Sequence, residues 1–261
     1  MTVLQIGLLF MAALLGGALN SVAGGGSFIC FPALLFSGVP GTQANMTSTV
    51  ALWPGSLGSV GAYRQELRSQ GRHVLPLLLV SLAGGVIGAV LLVNLPSKSF
   101  EQVLPFLMLF ATILFAFGRR VAYNLQHRAS AVQVPARVLA AGTVFFQLLV
   151  AIYGGFFGGG IGIIMLALLS LRGLEHIHQM NALKSLLSAC INGIAILIFV
   201  AIGGVLWPQA LTMIAGGLLG GYGGARYARQ VSPAKIQTLV SLTGALMTII
   251  FFARAFLSPS L

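Results

Sequence analysis

The chain has 261 residues, 57% of them hydrophobic and only 7% charged, and its mean hydropathy is +0.99. A soluble domain carries about 25% charged residues, so this composition excludes a soluble globular protein and describes an all-α polytopic membrane protein, a single membrane domain over residues 1–261. Lys and Arg number 14 against three acidic residues, Glu66, Glu101 and Glu175; they fall in short loops between apolar segments, so the excess reports topology rather than a nucleic-acid partner.

The first apolar segment covers residues 3–22. It lacks the basic start of a signal peptide and reads as mature structure. It runs into Gly24-Gly25-Gly26-Ser27, and a short apolar piece, 28–36, follows. Longer segments then cover 43–63, 74–95 and 100–117. A basic linker, 119–137, separates a first repeat (1–118) from a second (138–261). The second half offers 138–157, a run Gly158-Gly159-Gly160, a short piece at 162–171, and long segments at 181–205, 210–227 and 236–256. Each long segment approaches the roughly 20 residues that a 30 Å hydrocarbon core requires; the two short pieces do not.

The halves match in register. Gly158 follows Gly24 by 134 positions, and Asn181 follows Asn45 by 136. Gly85-Val-Ile-Gly88-Ala89 falls on Gly221-Tyr-Gly-Gly224-Ala225, and Phe100 on Ile236, at that second offset. The charges then set relative orientation. In the first half, Arg64, Arg68, Arg72 and His73 follow the 43–63 segment, and only Lys98 occupies the next loop. In the second half the equivalent first loop is uncharged, whereas the next carries Arg226, Arg229 and Lys235. Positive-inside bias therefore predicts two inverted repeats, each of four long transmembrane helices plus one short helix after a glycine break, eight long and two short in all. Inversion requires an odd number of segments per half. That places the basic linker in the cytoplasm and both termini outside it.

Three glycines in succession do not sustain a helix, since each costs about 1 kcal/mol relative to alanine. An opened backbone at membrane depth is tolerated only where it is buried or lines a cavity. Paired breaks in corresponding positions of two halves point to a transporter's binding site. The helices starting after the breaks, near Ser27 and Ile161, would aim free N–H groups and positive dipole ends at one central point, which suits an anion. Ser27 is also a candidate cap for its helix.

The run Ala23-Gly-Gly-Gly-Ser27 leading to Pro32-Ala-Leu-Leu35, the cluster Asn45-Met-Thr-Ser48-Thr49, and in the second half Gly154-x-x-x-Gly158-Gly-Gly160 with Asn181-Ala-Leu-Lys184-Ser185 and Asn192 together resemble the TauE/SafE family of sulfite exporters. The resemblance covers essentially the whole chain. Leu166 stands where the first half has Pro32. It implies an inner-membrane carrier of sulfite, a sulfonate or another small organic anion.

The substrate-binding candidates are Gly24, Gly25, Gly26, Ser27, Asn45, Thr47, Ser48 and Thr49 from the first half. From the second they are Gly158, Gly159, Gly160, Asn181, Lys184, Ser185 and Asn192. Hydroxyls and amides donate to oxyanion oxygens, and an intramembrane cation is a functional candidate by default; the alternative for Lys184 is to snorkel to the interface. No carboxylate falls deep in a segment, so the expected process is potential-driven movement of an anion, outward in a cell that is negative inside. No catalytic set, no cofactor and no metal site is expected; Glu175, His176 and His178 form too small a cluster. The expected partners are the small anionic substrate and the lipid bilayer, and a homodimer is compatible with this reading. Two rivals remain: an importer of thiosulfate or another sulfur anion, and a thiol-redox protein using Cys30 and Cys190, which are not repeat equivalents and form no Cys-x-x-Cys.

Overall fold

A computed structural model describes residues 1–23, 25–69, 74–131, 136–171, 177–227 and 233–257. Among them all regular structure is helical: α1 (Val3–Ala23), α2 (Ser27–Phe36), α3 (Gly41–Ala62), α4 (Arg64–Ser69), α5 (Leu75–Asn94), α6 (Ser97–Ala131), α7 (Ala136–Phe156), α8 (Ile161–Leu171), α9 (Ile177–Ala201), α10 (Trp207–Tyr227) and α11 (Pro233–Leu257). Eight are long, and α2 and α8 are the short helices that follow the glycine breaks. Helix α4 is extra; Leu67 on it packs against an apolar cluster that includes Met180 and Leu183 of α9. The basic stretch expected as a linker is helical over 119–131, as the end of α6.

The protein is an all-helical membrane protein. By length and composition alone, four helical stretches among the described residues suffice to cross a membrane: Val3–Asn20, Leu75–Asn94, Ser97–Gly118 and His178–Ala201. Helices α3 and α10 are as long, at 22 and 21 residues, but are less apolar. The reason for α3 is its polar run from Thr42 to Thr49 and its glycines, and for α10 its six glycines. Helices α7 and α11 carry shorter apolar stretches, Ala141–Phe156 and Val240–Arg254.

Small residues bring the long helices into backbone contact, as in other membrane bundles. A Cβ built on Gly17 or Gly220 would strike the carbonyl oxygen of Gly217 or Leu14, so α1 and α10 touch main chain to main chain. At α5 and α7, Gly84 and Gly88 meet the carbonyls of Leu148 and Ile152 in the same way. Helix α2 is enclosed by this frame. Phe28, Cys30, Phe31 and Leu34 are buried, with the Phe31 ring set edge-on to Phe100 at 6.3 Å and to Phe157 at 5.8 Å. A half-length helix survives at membrane depth because protein, not lipid, surrounds it.

Two pairs of residues 136 apart meet face to face. Trp53 Nε1 donates to the Ala189 carbonyl at 2.9 Å, and the Thr112 and Thr248 hydroxyls lie 3.5 Å apart. Around the first pair, α3 and α9 run antiparallel. Leu206 N, just past the end of α9, donates to Thr47 near the start of α3 at 3.1 Å, while Leu67, past the end of α3, lies against the start of α9. Around the second pair α6 and α11 do the same, with Gln237 Nε2 donating to the Phe115 carbonyl at 2.8 Å and Phe106 edge-on to Phe252 at 5.2 Å.

Candidate functional site

The two breaks end α1 and α7. At the first, Gly26 precedes α2 with right-handed backbone (φ −61°, ψ −33°) and no side-chain cap. Ser27 is therefore the first residue of α2 and not its cap, a correction to the expectation. A Cβ on Gly26 would lie 2.5 Å from the Gly16 carbonyl oxygen, and one on Gly25 would lie 2.8 Å from Val240. Gly24 lies outside the described residues. At the second break Gly158 and Gly160 have φ of +79° and +78°, the left-handed region that glycine enters without a steric penalty. The Tyr153 carbonyl accepts from Phe157 N and Gly158 N at 2.8 and 3.1 Å, and the Tyr153 hydroxyl donates to the Gly159 carbonyl at 2.7 Å. That one residue fixes the turn from both sides.

Between the breaks lies a cavity of about 170 Å³. Asn20 of α1 and Ser27 of α2 form one wall. Phe157, Gly158, Ile161 and Gly162 face them from the second break. Ile161 and Gly162 open α8, where the first N–H groups have no acceptor within the helix. Helix α3 contributes Ser48, Thr49, Leu52, Ser56 and Ser59, with Tyr63 just beyond its end; α9 contributes Asn181, Lys184, Ser185, Ser188 and Asn192. The α9 set recurs at helical spacing and so forms one polar stripe. The Lys184 stem crosses the start of α8: a Cβ on Gly162 would lie 3.2 Å from its Cδ. Among the described residues the lining contains that one cation and no carboxylate, and Lys184 makes no ion pair.

The expected residues divide into two groups. Ser27, Ser48, Thr49, Gly158, Asn181, Lys184, Ser185 and Asn192 line the cavity. Gly25, Gly26, Gly159 and Gly160 shape the breaks without lining it. Asn45 donates instead to the Phe156 carbonyl at 2.9 Å, tying α3 to the end of α7, and Thr47 accepts from Leu206. The hydroxyls of Ser48 and Thr49 donate to the Asn45 carbonyl at 3.0 and 2.8 Å, so either must rotate to serve an anion. Asn20, Ser56, Ser59, Tyr63, Gly162 and Ser188 were not anticipated. The repeat of Ser48, Ser56 and Ser59 along one face of α3, and of Ser188 within the α9 stripe, is the signal that finds most of them. Of the loop cluster weighed as a metal site, Glu175 and His176 lie outside the described residues and His178 is exposed.

A helical membrane bundle with two broken helices around a polar cavity lined by a lysine is built as a transporter. The chain belongs to the sulfite exporter TauE/SafE family, whose model matches residues 9–251, a range that includes both breaks. It is 31% identical over 242 residues to the probable membrane transporter protein ORF9 of Sinorhizobium sp, covering 92% of this chain and 90% of that one. It is 27% identical over 247 residues to the probable membrane transporter protein YfcA of Escherichia coli K12 (94% and 88%). A probable membrane transporter protein of Haemophilus influenzae is 27% identical over 255 residues (93% and 92%). Coverage near full length on both sides means that the likeness takes in both halves. No solved structure matches the chain.

Proposed function

We propose that the protein carries a small sulfur-containing or organic anion, such as sulfite or a sulfonate, outward across the inner membrane, through the cavity between the two breaks. The observation that carries this reading is the lining: Lys184, amides, hydroxyls and a helix start, with no carboxylate among the described residues. An anion entering a low-dielectric site needs fixed donors in place of its hydration shell, and a helix N-terminus with a cation supplies them. An inside-negative potential drives an anion outward by about 2.3 kcal/mol per charge per 100 mV.

The proposal includes inverted repeats with both termini outside the cytoplasm. The supporting facts are the antiparallel pairing of α3 with α9 and of α6 with α11, and the contact between positions 136 apart at each crossing. The thiol-redox alternative has less in its favour. Cys30 is fully buried with its Sγ directed at the Ala12 carbonyl at 3.8 Å, and neither cysteine lines the cavity. Cys30 likewise offers an importer no thiol at the site.

Flux into proteoliposomes under an imposed potassium diffusion potential tests the function. Radiolabelled sulfite, methanesulfonate and acetate are offered with and without a pH gradient. Anion movement that follows the voltage is the expected result; strict dependence on the pH gradient at fixed voltage overturns potential-driven transport.

A further inference from the structure

Helix α3 carries Gly55, Gly58 and Gly61 at successive turns, and a Cβ built on any of them meets nothing within 4 Å. Close packing therefore does not explain them, in contrast to Gly84, Gly88 or Gly220. Glycine is also the worst helix former after proline; Gly61 stands one residue from the end of α3, but Gly55 and Gly58 lie inside the helix with no neighbour to accommodate and call for another reason. The equivalent positions of α9, 136 further on, are Ile191, Ile194 and Leu197. There the space is filled: Ile194 Cγ2 and the Ile191 carbonyl would lie 2.7 and 3.1 Å from a Cβ on Gly85. The counterpart of Gly85 is Gly221, whose nearest neighbour is the Gly17 carbonyl at 3.8 Å. The same crossing is closed in one half and open in the other.

The opening is a groove of about 520 Å³ between α1, α3 and α10, lined by Gly17, Gly217 and Gly221, by the exposed Gly55 and Gly58, and by Leu218 and Tyr222. It lies next to the anion cavity: Asn20, Leu52, Ser59 and Tyr63 line both spaces. A polar space with a cation thus has as its neighbour a larger, more apolar one walled in part by glycine.

From this adjacency we infer that the groove is a subsite for the hydrocarbon part of the substrate, and that the protein takes amphiphilic organic anions, sulfonates or carboxylates with an apolar tail, in preference to bare inorganic sulfite. The inference rests on the anion-transport reading above. It adds a second binding element to it. The charged head occupies the cavity beside Lys184, and the tail lies along α3 against Gly55 and Gly58, where a bulkier residue would fill its place as Ile194 does in the other half.

Titration calorimetry of the protein in nanodiscs, with empty nanodiscs subtracted, tests it. The probes are sulfite and unbranched alkanesulfonates and alkanecarboxylates of one to six carbons, with alkylammonium ions of the same lengths as controls. Affinity is expected to rise roughly fourfold per methylene for the anions. Gly58→Ile is expected to flatten that slope and leave methanesulfonate or acetate binding unchanged. A flat series in the wild-type protein, with short anions still bound, overturns the tail subsite and leaves anion binding intact. Equal slopes for alkylammonium ions overturn it as well, by showing a lipid-like slot. A slope that persists in Gly58→Ile places the tail elsewhere and overturns the assignment. Binding of no anion at any length sinks the anion reading itself. Should Gly58→Ile fail to fold, Gly58→Ala takes its place, and the wild-type series alone remains decisive.

Discussion

At the first break Gly26 has ordinary right-handed backbone and excludes a side chain because the Gly16 carbonyl stands 2.5 Å from where its Cβ would be. At the second, a Cβ on Gly160 would have no neighbour nearer than 3.6 Å, but its φ of +78° is one that side chains resist. Two runs of the same residue thus serve two demands, one for space between α1 and α2 and one for the turn into α8. The walls differ as well. Where the second half places Lys184, the first places Ser48 at the equivalent position, and both line the cavity. Equivalence in sequence position is therefore not equivalence of role.

The largest expected effect tests the difference between the walls. Lys184→Met should lower anion flux in proteoliposomes by about tenfold to more than a hundredfold, the range set by a charged hydrogen bond of roughly 1.5–3 kcal/mol. Flux near wild type would remove the cation from the mechanism. Ser48→Ala should reduce flux by less than tenfold, because a neutral hydrogen bond contributes about 1 kcal/mol. If the serine matters as much as the lysine, the walls are alike after all.

Stability separates the breaks. Gly26→Ala should destabilise by about 1–3 kcal/mol through overpacking, and Gly160→Ala by about 1–2 kcal/mol through left-handed strain, each read as a fall in melting temperature of the purified protein. Asparagine sharpens the contrast, since it tolerates the left-handed region: Gly160→Asn should melt above Gly160→Ala, and Gly26→Asn below Gly26→Ala. The reverse order would mean that crowding and strain have been assigned to the wrong breaks. The smallest effect belongs to the cysteines. Cys30→Ala and Cys190→Ala together should leave flux per folded protein unchanged, as small packing residues permit; loss of flux would revive a thiol mechanism.

The order of the long helices and the placement of both breaks were legible in the sequence because apolar length and glycine are strong local signals. Helix α4 was not, since six residues carry too little periodicity to show. The site was legible in part. The donors of α9 repeat at helical spacing and do line the cavity. Asn45 and Thr47 look identical to them in sequence, yet they bond to Phe156 and Leu206. A buried amide or hydroxyl takes whatever partner the fold brings within reach, and partners more than 100 residues away leave no local trace. Tyr153 shows the same limit. It reads as one more aromatic in an apolar segment, yet it holds the second break through its hydroxyl and its carbonyl.

The contact between Trp53 and Ala189 has a genetic consequence. Two identical chains meeting on a symmetry axis must present the same residue to each other there, two indoles or two methyl groups. The acceptor here is main chain, which any residue supplies, so it is the donor that distinguishes the halves. Two copies of the second half would set alanine against alanine and lose the hydrogen bond, whereas two copies of the first would keep donor and acceptor but have to fit a second indole where the Ala189 methyl now stands.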